Sequence, residues 1–483
     1  MTSNGRPVEE TMPTEALAFR MRSMKLQDKP ADTFYRNLEE ALDQRRAAHS
    51  LHCVVESEWQ TMQDRVVDFS SNDILSLNAR GILRDRFLAE LAQNPGFNPG
   101  AGGSRLLDGF YPYLEATERD IAAFHGAEAS LIVNSGFEAN MALWKAIPRP
   151  GDVIVYDSLV HASTHEGVES SLAIQKVEFA HNDPKALREV LHSIMDSYPL
   201  IRQGTRCVLV AVESVYSMDG DVCLLQELLD VAHEVFQDHD NVKFVVDEAH
   251  STGVFGPKGS GLVCELGLES EVAVRVHTFG KALGATGAGI LGSKTIKAAL
   301  LNFARSAAFT TAPSFPFVAT IKAGYDLLQS NEGQQSMDRV QHNARLFYQL
   351  LTTHDLWRTA RDEGILWVPL DGGWETRTFF THIVPLWTRP KYLYWLYFHL
   401  LSSGYCTWPI EHPVVPPGQG RIRMTVHAAN TEAQVVGLVN ALFEWVEEIL
   451  AIEEGCAGKK ASRAAAKVYE WMRNEGLEGW GLV

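Results

Sequence analysis

The chain has 483 residues, of which 46% are hydrophobic and 10% aromatic, so it can bury one large core with a smaller domain beside it. Disorder of the whole chain is therefore excluded. The formal net charge of −17 argues against nucleic acid and anionic membranes as partners. The six cysteines form no CxxC pair, which disfavours a zinc site and a disulfide framework. Because no secretory signal and no apolar run of ~20 residues is present, we expect a cytoplasmic protein without a membrane span.

Three regions are predicted along the chain. Residues 1–60 form a polar arm and a helix, since DTFYRNLEEALDQRRAAHSLH has helical spacing. Residues 61–345 form a large domain, in which the β-rich runs SLIVNS, DVIVYD, CVLVAVES and KFVVDEAH alternate with amphipathic stretches such as LLQELLDVAHEVF. Strands that are apolar on both faces indicate a mostly parallel sheet between helix layers. Residues 346–483 form a smaller α+β domain with strands HIVPLW and RIRMTV, the helix TEAQVVGLVNALFEWVEEIL and an extra terminal helix.

The first candidate binding feature is NSGFEAN, where a predicted strand ends and a helix begins. Open α/β sheets bind ligands at the carboxyl ends of their strands. Ser135, Gly136 and Phe137 would place free backbone N–H groups and the positive end of a helix dipole at that edge, which suits a phosphate group. Alone, the stretch also fits an ordinary strand-to-helix turn.

The second feature is VVDEAHSTG, which places Asp247 at the end of a buried strand and His250 three residues later. A carboxylate in an apolar site needs a cation or a strong hydrogen-bond donor. Asp247 and His250 could be a structural pair, part of a metal site, or the polar partners of a heterocycle. A metal is least favoured, because no third ligand lies close in the sequence.

The third feature is Lys281 in VHTFGKALGATG, where no charged residue stands on either side. Such an amine can be neutral near pH 7 and form a Schiff base, although a surface lysine in a glycine turn is the alternative. A phosphate site, a buried aspartate and a Schiff-base lysine together are what pyridoxal phosphate requires. The combination is far more specific than any one of its members.

Seven stretches occur in the order found in the α-oxoamine synthases, a family of fold-type I pyridoxal phosphate enzymes. They are GAGGSRLLDGF, NSGFEAN, DSLVHAS, ESVYSMDGD, VDEAHSTGVFGPKGSGL, HTFGKALGATGAGILG and GRIRMTV. The chain resembles this family from about residue 35 to 450, and is most similar to its 8-amino-7-oxononanoate synthases. The resemblance implies an α/β fold with a mostly parallel seven-stranded sheet between helix layers, a smaller α+β C-terminal domain, and pyridoxal 5'-phosphate as cofactor.

The resemblance also implies roles for single residues. Lys281 would hold the cofactor and later take the α-proton of an amino acid, Asp247 would pair with the pyridine nitrogen, and His161 would stack on the ring. Ser217 and His250 would bond the phenolic oxygen. The other implied residues are Ser135, Gly136, Phe137 and Thr278 for the phosphate, Thr310 or Thr311 reaching the phosphate from the second subunit of a homodimer, and Asn72 and Arg423 for the amino acid carboxylate.

The implied reaction joins a small amino acid to an acyl-CoA or carrier-protein thioester and releases an α-aminoketone, CO₂ and free thiol. Ser104 matches the small residue of alanine-using members, so L-alanine is favoured over serine and glycine. Glu411 and His52 stand where the biotin-pathway enzyme carries arginines, which indicates a less acidic acyl chain, such as a fatty or polyketide chain, unless neighbouring side chains compensate. An aminotransferase and, less favoured, a non-catalytic binding subunit are the alternatives.

Overall fold

The structure is a computed structural model that describes residues 32–48, 51, 66–237, 239–455 and 460–474. Most of the predicted N-terminal arm and His52 lie outside these residues. The predicted N-terminal helix is present, and it begins after Asp32, whose carboxylate accepts the backbone N–H of Phe34 at 2.8 Å. That bond satisfies one of the N–H groups that the first helical turn leaves without a partner.

The described residues form helices and strands in alternation over most of the chain. The strands are β1 (Val67–Asp68), β2 (Ala129–Val133), β3 (Val153–Asp157), β4 (Gln175–Phe179), β5 (Val208–Glu213), β6 (Val242–Asp247), β7 (Val272–Thr278), β8 (Ala288–Gly292), β9 (Ile383–Leu386), β10 (Tyr405–Cys406), β11 (Trp408–Ile410) and β12 (Arg421–Thr425). The helices are α1 (Thr33–Ala47), α2 (Ile82–Gln93), α3 (Pro112–Phe124), α4 (Gly136–Ala146), α5 (Ala162–Glu169), α6 (Pro184–Ser197), α7 (Pro199–Arg202), α8 (Leu225–Phe236), α9 (Leu262–Glu265), α10 (Lys294–Phe303), α11 (Arg305–Ala308), α12 (Phe315–Leu328), α13 (Asn331–Thr353), α14 (Trp357–Asp362), α15 (Leu393–Ser402), α16 (Glu432–Glu453) and α17 (Arg463–Asn474).

The main sheet has seven strands in the order β2-β8-β7-β6-β5-β3-β4. Only β8 runs against its neighbours, and the strands from β7 to β4 are all parallel. Alternate side chains of β5 enter the cores on opposite faces of the sheet: Val208 and Val210 pack on one side, and Leu209 and Ala211 on the other. This two-sided burial explains the continuous apolar runs, and the predicted fold class is confirmed.

A second, smaller sheet has the antiparallel order β11-β12-β9. Its core includes Trp445 of α16, which is fully buried. The extra terminal helix, α17, packs against α15, and the indole N–H of Trp395 donates to the hydroxyl of Tyr469 at 2.7 Å. Helix α13 runs through residue 345 without interruption, and the domain boundaries at 60 and 345 stay predictions.

Within the described ranges, no helix is both long enough and apolar enough to cross a membrane.

Candidate active site

A cavity of about 370 Å³ lies at the carboxyl edge of the main sheet. The last residues of three neighbouring parallel strands, Glu213, Asp247 and Thr278, all contribute to its wall. Strand β8 runs the other way, and Gly287, immediately before it, completes the same edge. The parallel register therefore collects side chains that are far apart in sequence into one space.

Most of the predicted site residues line this cavity. They are Asn72, Ser135, Gly136, Phe137, His161, Ser217, Asp247, His250, Thr278 and Lys281. Ser104, Thr310, Thr311 and Arg423 are not part of its wall. The structure thus brings the implied cofactor residues other than Thr310 and Thr311 together in a single chain, while the roles of all these side chains stay predictions.

Lys281 follows β7 and points its amine at His250, with 2.7 Å between Nζ and Nε2. Burial is the main reason that the pKa of Lys281 falls from 10.5 to about 8, and the Arg423 guanidinium acts in the same direction. The carboxylates of Asp247 and Glu213 act in the opposite direction. At a pH slightly above the physiological value, a substantial fraction of the amine is therefore neutral, as a nucleophile or base requires.

Asp247 is fixed by hydrogen bonds from two sides. Its Oδ2 accepts from the Asn140 amide at 2.8 Å, and its Oδ1 accepts from the Ala249 backbone N–H at 3.0 Å. The same Asn140 nitrogen donates to Ser163 at 3.0 Å, and the Ser163 hydroxyl lies 2.7 Å from Nδ1 of His161. This chain of contacts couples the orientation of the His161 ring to that of the Asp247 carboxylate.

His161 caps the start of α5, and burial lowers the pKa of its imidazole. A neutral, oriented ring at this position is suited to stacking on an aromatic ligand. The backbone N–H of His161 donates to Glu213, a buried carboxyl group whose pKa is raised well above its usual range by burial and by the neighbouring Asp247. Glu213 and Asp247 are paired in register on β5 and β6.

The junction between β2 and α4 has the geometry of an anion site. Ser135 caps the helix and accepts the backbone N–H of Glu138 at 3.1 Å. Ser135, Gly136 and Phe137 line the cavity, and the first turn of a helix leaves N–H groups without intrahelical partners. A Cβ atom on Gly136 would lie 2.4 Å from Cγ2 of Thr278, so only glycine permits this close approach of the helix to β7. The cavity thus combines an anion site, a buried carboxylate and an amine, and these residues fit pyridoxal phosphate.

Arg423 reaches the main domain from β12 of the small sheet. Its Nε donates to the carbonyl of Ser217 at 2.7 Å, and its Nη1 donates to the Thr425 hydroxyl at 3.2 Å. Burial lowers the pKa of Arg423 to about 10, so the guanidinium remains charged at neutral pH. It lies behind Ser217, which does line the cavity.

Ser104 and Thr311 pair with each other instead of lining the cavity. They form an isolated antiparallel bridge, and the Ala312 N–H donates to the carbonyl of Gly103 at 2.9 Å. Nearby in sequence, Leu107 and Phe309 are 77% and 71% exposed. The two segments therefore form one structural unit on the surface of this chain.

Sequence reasoning missed Asn140, Ser163, Glu213 and His382 as parts of the site. Glu213 could have been found, since it begins the stretch ESVYSMDGD at the end of a predicted strand. Asn140 and Ser163 end the quoted stretches NSGFEAN and DSLVHAS, and His382 begins the predicted strand HIVPLW, so all three stood in stretches already singled out. Their contacts could not be predicted, since Asn140 is 107 residues from Asp247 and His382 is 132 residues from His250. Among the residues described, no group of three or more His, Cys, Asp or Glu side chains is arranged to hold a metal.

Known proteins resemble the chain over nearly its whole length. The family model described as aminotransferase class I and II matches residues 64–442. An aminoacyl transferase sphA of Aspergillus fumigatus is 50% identical over 475 residues, covering 98% of this chain and 99% of its own length. An 8-amino-7-oxononanoate synthase of Emericella nidulans is 43% identical, covering 79% and 90% of the two chains.

Solved structures share the fold. A serine palmitoyltransferase of Sphingomonas wittichii matches with a TM-score of 0.67 and 25% identity, over 80% of this chain and 88% of its own. An 8-amino-7-oxononanoate synthase of Francisella tularensis matches in fold with a TM-score of 0.60 and 22% identity, over 80% and 98%.

The fold and the cavity define a fold-type I pyridoxal phosphate enzyme. The chain belongs to the class I and II aminotransferase family, in its α-oxoamine synthase branch. The predicted resemblance, the enzymatic nature of the protein and the cofactor class are confirmed with it.

Proposed function

We propose that the protein condenses a small amino acid with an acyl thioester and releases CO₂. The observation that supports this most directly is the position of the Lys281 amine, which lies 2.7 Å from Nε2 of His250 in one cavity with the carboxyl groups of Asp247 and Glu213. Burial also lowers the pKa of this amine to about 8. Such an amine can remove a proton from the α-carbon of an amino acid. The α-carbon then bonds to the thioester carbonyl, the thiolate leaves, the amino acid carboxyl departs as CO₂, and a proton returns to give an α-aminoketone.

Each residue of the cavity would have a separate role in this reaction. Pyridoxal phosphate, when bound, supplies a ring that accepts the electron pair released at the α-carbon. Lys281 and Asp247 would hold it, with the helix start at Gly136 facing its phosphate. Arg423 and Asn72 would hold the amino acid carboxylate, since a guanidinium can grip it with two parallel hydrogen bonds.

The favoured amino acid is L-alanine, with serine and glycine as further candidates. The choice rests on Ser104, a small residue that pairs with Thr311 outside this chain's cavity. Because the bridge joins their two segments, Ser104 and Thr311 would enter a second subunit's cavity together. The proposed enzyme is therefore a homodimer with shared active sites.

The proposed acyl donor is an uncharged fatty or polyketide thioester. Glu411 follows β11 on an exposed segment, and its carboxylate accepts a hydrogen bond from the Tyr394 hydroxyl at 2.6 Å. A negative group at this position would repel an acyl chain that ends in a carboxylate. The other substitution on which this proposal rests, His52, lies outside the described residues.

Matched thioesters test the proposal. The purified protein is incubated with L-alanine, L-serine or glycine and with either pimeloyl-CoA or heptanoyl-CoA, which have equally long chains but differ in the terminal carboxylate. We expect CO₂ and free thiol in equal amounts, and faster release with heptanoyl-CoA. Efficient use of pimeloyl-CoA alone would refute the acyl assignment while leaving the reaction type intact.

Transamination is the second candidate, because the matched family model describes aminotransferases. It would convert the amino acid to an oxo acid without releasing CO₂ or thiol, so the same assay separates the two reactions. A non-catalytic binding subunit would give neither product, and the presence of Lys281 in the cavity argues against it.

A further inference from the structure

A second histidine, His382, stands behind the one that contacts Lys281. It precedes β9 of the small sheet and is fully buried. Its Nε2 lies 3.3 Å from Nδ1 of His250, and the two rings meet edge to edge, with 5.4 Å between centroids and 25° between the ring planes. Lys281, His250 and His382 therefore form a continuous hydrogen-bonded line from the cavity into the interface between the two sheets.

We propose that His382 is a positioning residue, which holds His250 in whichever tautomer matches the protonation state of Lys281. This inference rests on the proposed function only in taking Lys281 as the base. Among the residues described, Nδ1 of His250 has no other hydrogen-bond partner.

The chemistry of the line leaves two proton arrangements. An ammonium group only donates, so with charged Lys281 the Nε2 of His250 must accept, and its Nδ1–H then donates to His382. A neutral amine can accept, so the line can reverse, with His382 donating to His250 and His250 donating to Lys281. Both imidazoles are suited to this exchange, because burial lowers the pKa of each and keeps each ring neutral.

The charged groups around the line belong to several elements. Asp247 and Glu213 face Lys281 and favour its ammonium form, whereas Arg423 disfavours it. His250 also faces Arg423 and His161.

His382 faces Arg423 and His427 in addition to Lys281. All of these surrounding groups are retained in a variant at position 382, so a change in the titration of Lys281 reports on His382 itself.

The loss of His382 has a defined expected direction. Among the residues described, Nδ1 of His382 has no hydrogen-bond partner, so each proton arrangement ends in one unpaired nitrogen whether or not His382 is present. The direction of the effect therefore comes from the charge. An acceptor at Nδ1–H makes Nε2 of His250 a stronger acceptor, and this strengthens the charge-assisted bond from an ammonium group more than a bond with a neutral amine. We expect the pKa of Lys281 to fall in such a variant by less than about one unit, since only the difference between the charged and the neutral bond is lost.

Three substitutions test this. His382→Gln places an amide near the position of Nε2 and can donate or accept, so it should retain the wild-type titration. His382→Asn has the same amide one methylene shorter and His382→Leu has none, so both should lower the midpoint. His399→Leu is the control, since the His399 ring is buried and its hydrogen bond among the described residues is to the carbonyl of Ala441, far from Lys281 in sequence.

The midpoint is measured on the full chain, stripped of cofactor, by competitive acetylation of Lys281 against pH with mass spectrometry. A second titration follows the visible absorption of the cofactor bound to the full chain. Equal midpoints for folded Asn and Gln variants would overturn the proposal, and this pair decides the matter even if the Leu variant does not fold. Neither titration requires substrate, so a protein that makes no aminoketone can still pass or fail this test.

Discussion

The predicted site has two parts, the cavity at the edge of the main sheet and the segments around Ser104 and Thr311, and only the first is assembled from residues of one chain. At the edge of the main sheet, Asp247, His161 and Lys281 are held by contacts within one chain and share one cavity. The paired segments around Ser104 and Thr311 add nothing to that cavity and border exposed apolar side chains. The difference indicates that the strand ends and the helices packed on them assemble the chemical centre within one chain. In the proposed homodimer, Ser104 and Thr311 would instead act in the cavity of a second subunit.

Among the substitutions considered, Lys281→Ala in the cavity of the main sheet is expected to have the largest effect on activity. Removing a residue that acts as a general base should lower kcat by about 10²–10⁴-fold, measured as thiol release from the acyl donor. Lys294→Ala is the matched control, because the Lys294 side chain is exposed and forms a surface ion pair with Glu128 at 3.6 Å. If the Lys281 variant kept near-normal turnover, another group would have to be the base.

The second part is tested by Leu107→Asp. Leu107 is 77% exposed on the isolated chain, and a carboxylate buried there in a subunit interface would be costly. We expect the dimer to dissociate in sedimentation experiments and activity to fall in proportion to the remaining dimer. Leu200→Asp, at an exposed leucine of α7, is the control and should leave both unchanged. A fully active monomer would contradict the shared active site.

A smaller effect is expected at the close approach of α4 to β7. Gly136→Ala would place a methyl group 2.4 Å from Cγ2 of Thr278, and overpacking of this kind costs about 1–3 kcal/mol. Thr278→Ser removes that carbon and keeps the hydroxyl, so the double variant should recover the stability. Chemical unfolding of the cofactor-bound chain measures both. An unchanged stability of the Gly136→Ala variant alone would show that the helix start simply shifts to make room for the methyl group.

The sequence allowed prediction of those parts of the site that lie next to strand ends. Asp247 ends β6, which was predicted as an apolar run. Lys281 was located by the glycines and the lack of charged residues around it, although the strand before it, β7, was not among the predicted runs. Strand β4 was not predicted, because QKVEF is an edge strand with exposed polar positions and lacks the continuous apolar run of its neighbours.

Contacts made across the fold could not be predicted in this way. Asn140 lies one turn inside α4, and only the packing of that helix on the sheet brings its amide to Asp247. His382 belongs to the small sheet, and its contact with His250 depends on how the two sheets meet. Local periodicity contains no information about either distance.

The smallest predicted effect is on the pH dependence of the free energy of unfolding, and it tests whether a single chain is sufficient to set the pKa of Lys281. Its pKa is about 8 in the folded chain against an ordinary value of 10.5, so between these values the unfolded chain binds more protons. Without cofactor, this group should make the free energy of unfolding rise with pH in that window, by at most about 1.4 kcal/mol per pH unit.

Lys281→Met should remove that rise, as measured by urea unfolding of the cofactor-free chains across the window. Lys281 is buried within a single chain, and Asp247, Glu213 and Arg423, which also affect its pKa, belong to that chain. The rise of the free energy of unfolding with pH should therefore persist in the Leu107→Asp variant. A rise that disappeared when the subunits separated would mean that the partner helps to bury Lys281. The chemical centre would then depend on the dimer as much as the Ser104–Thr311 segments do.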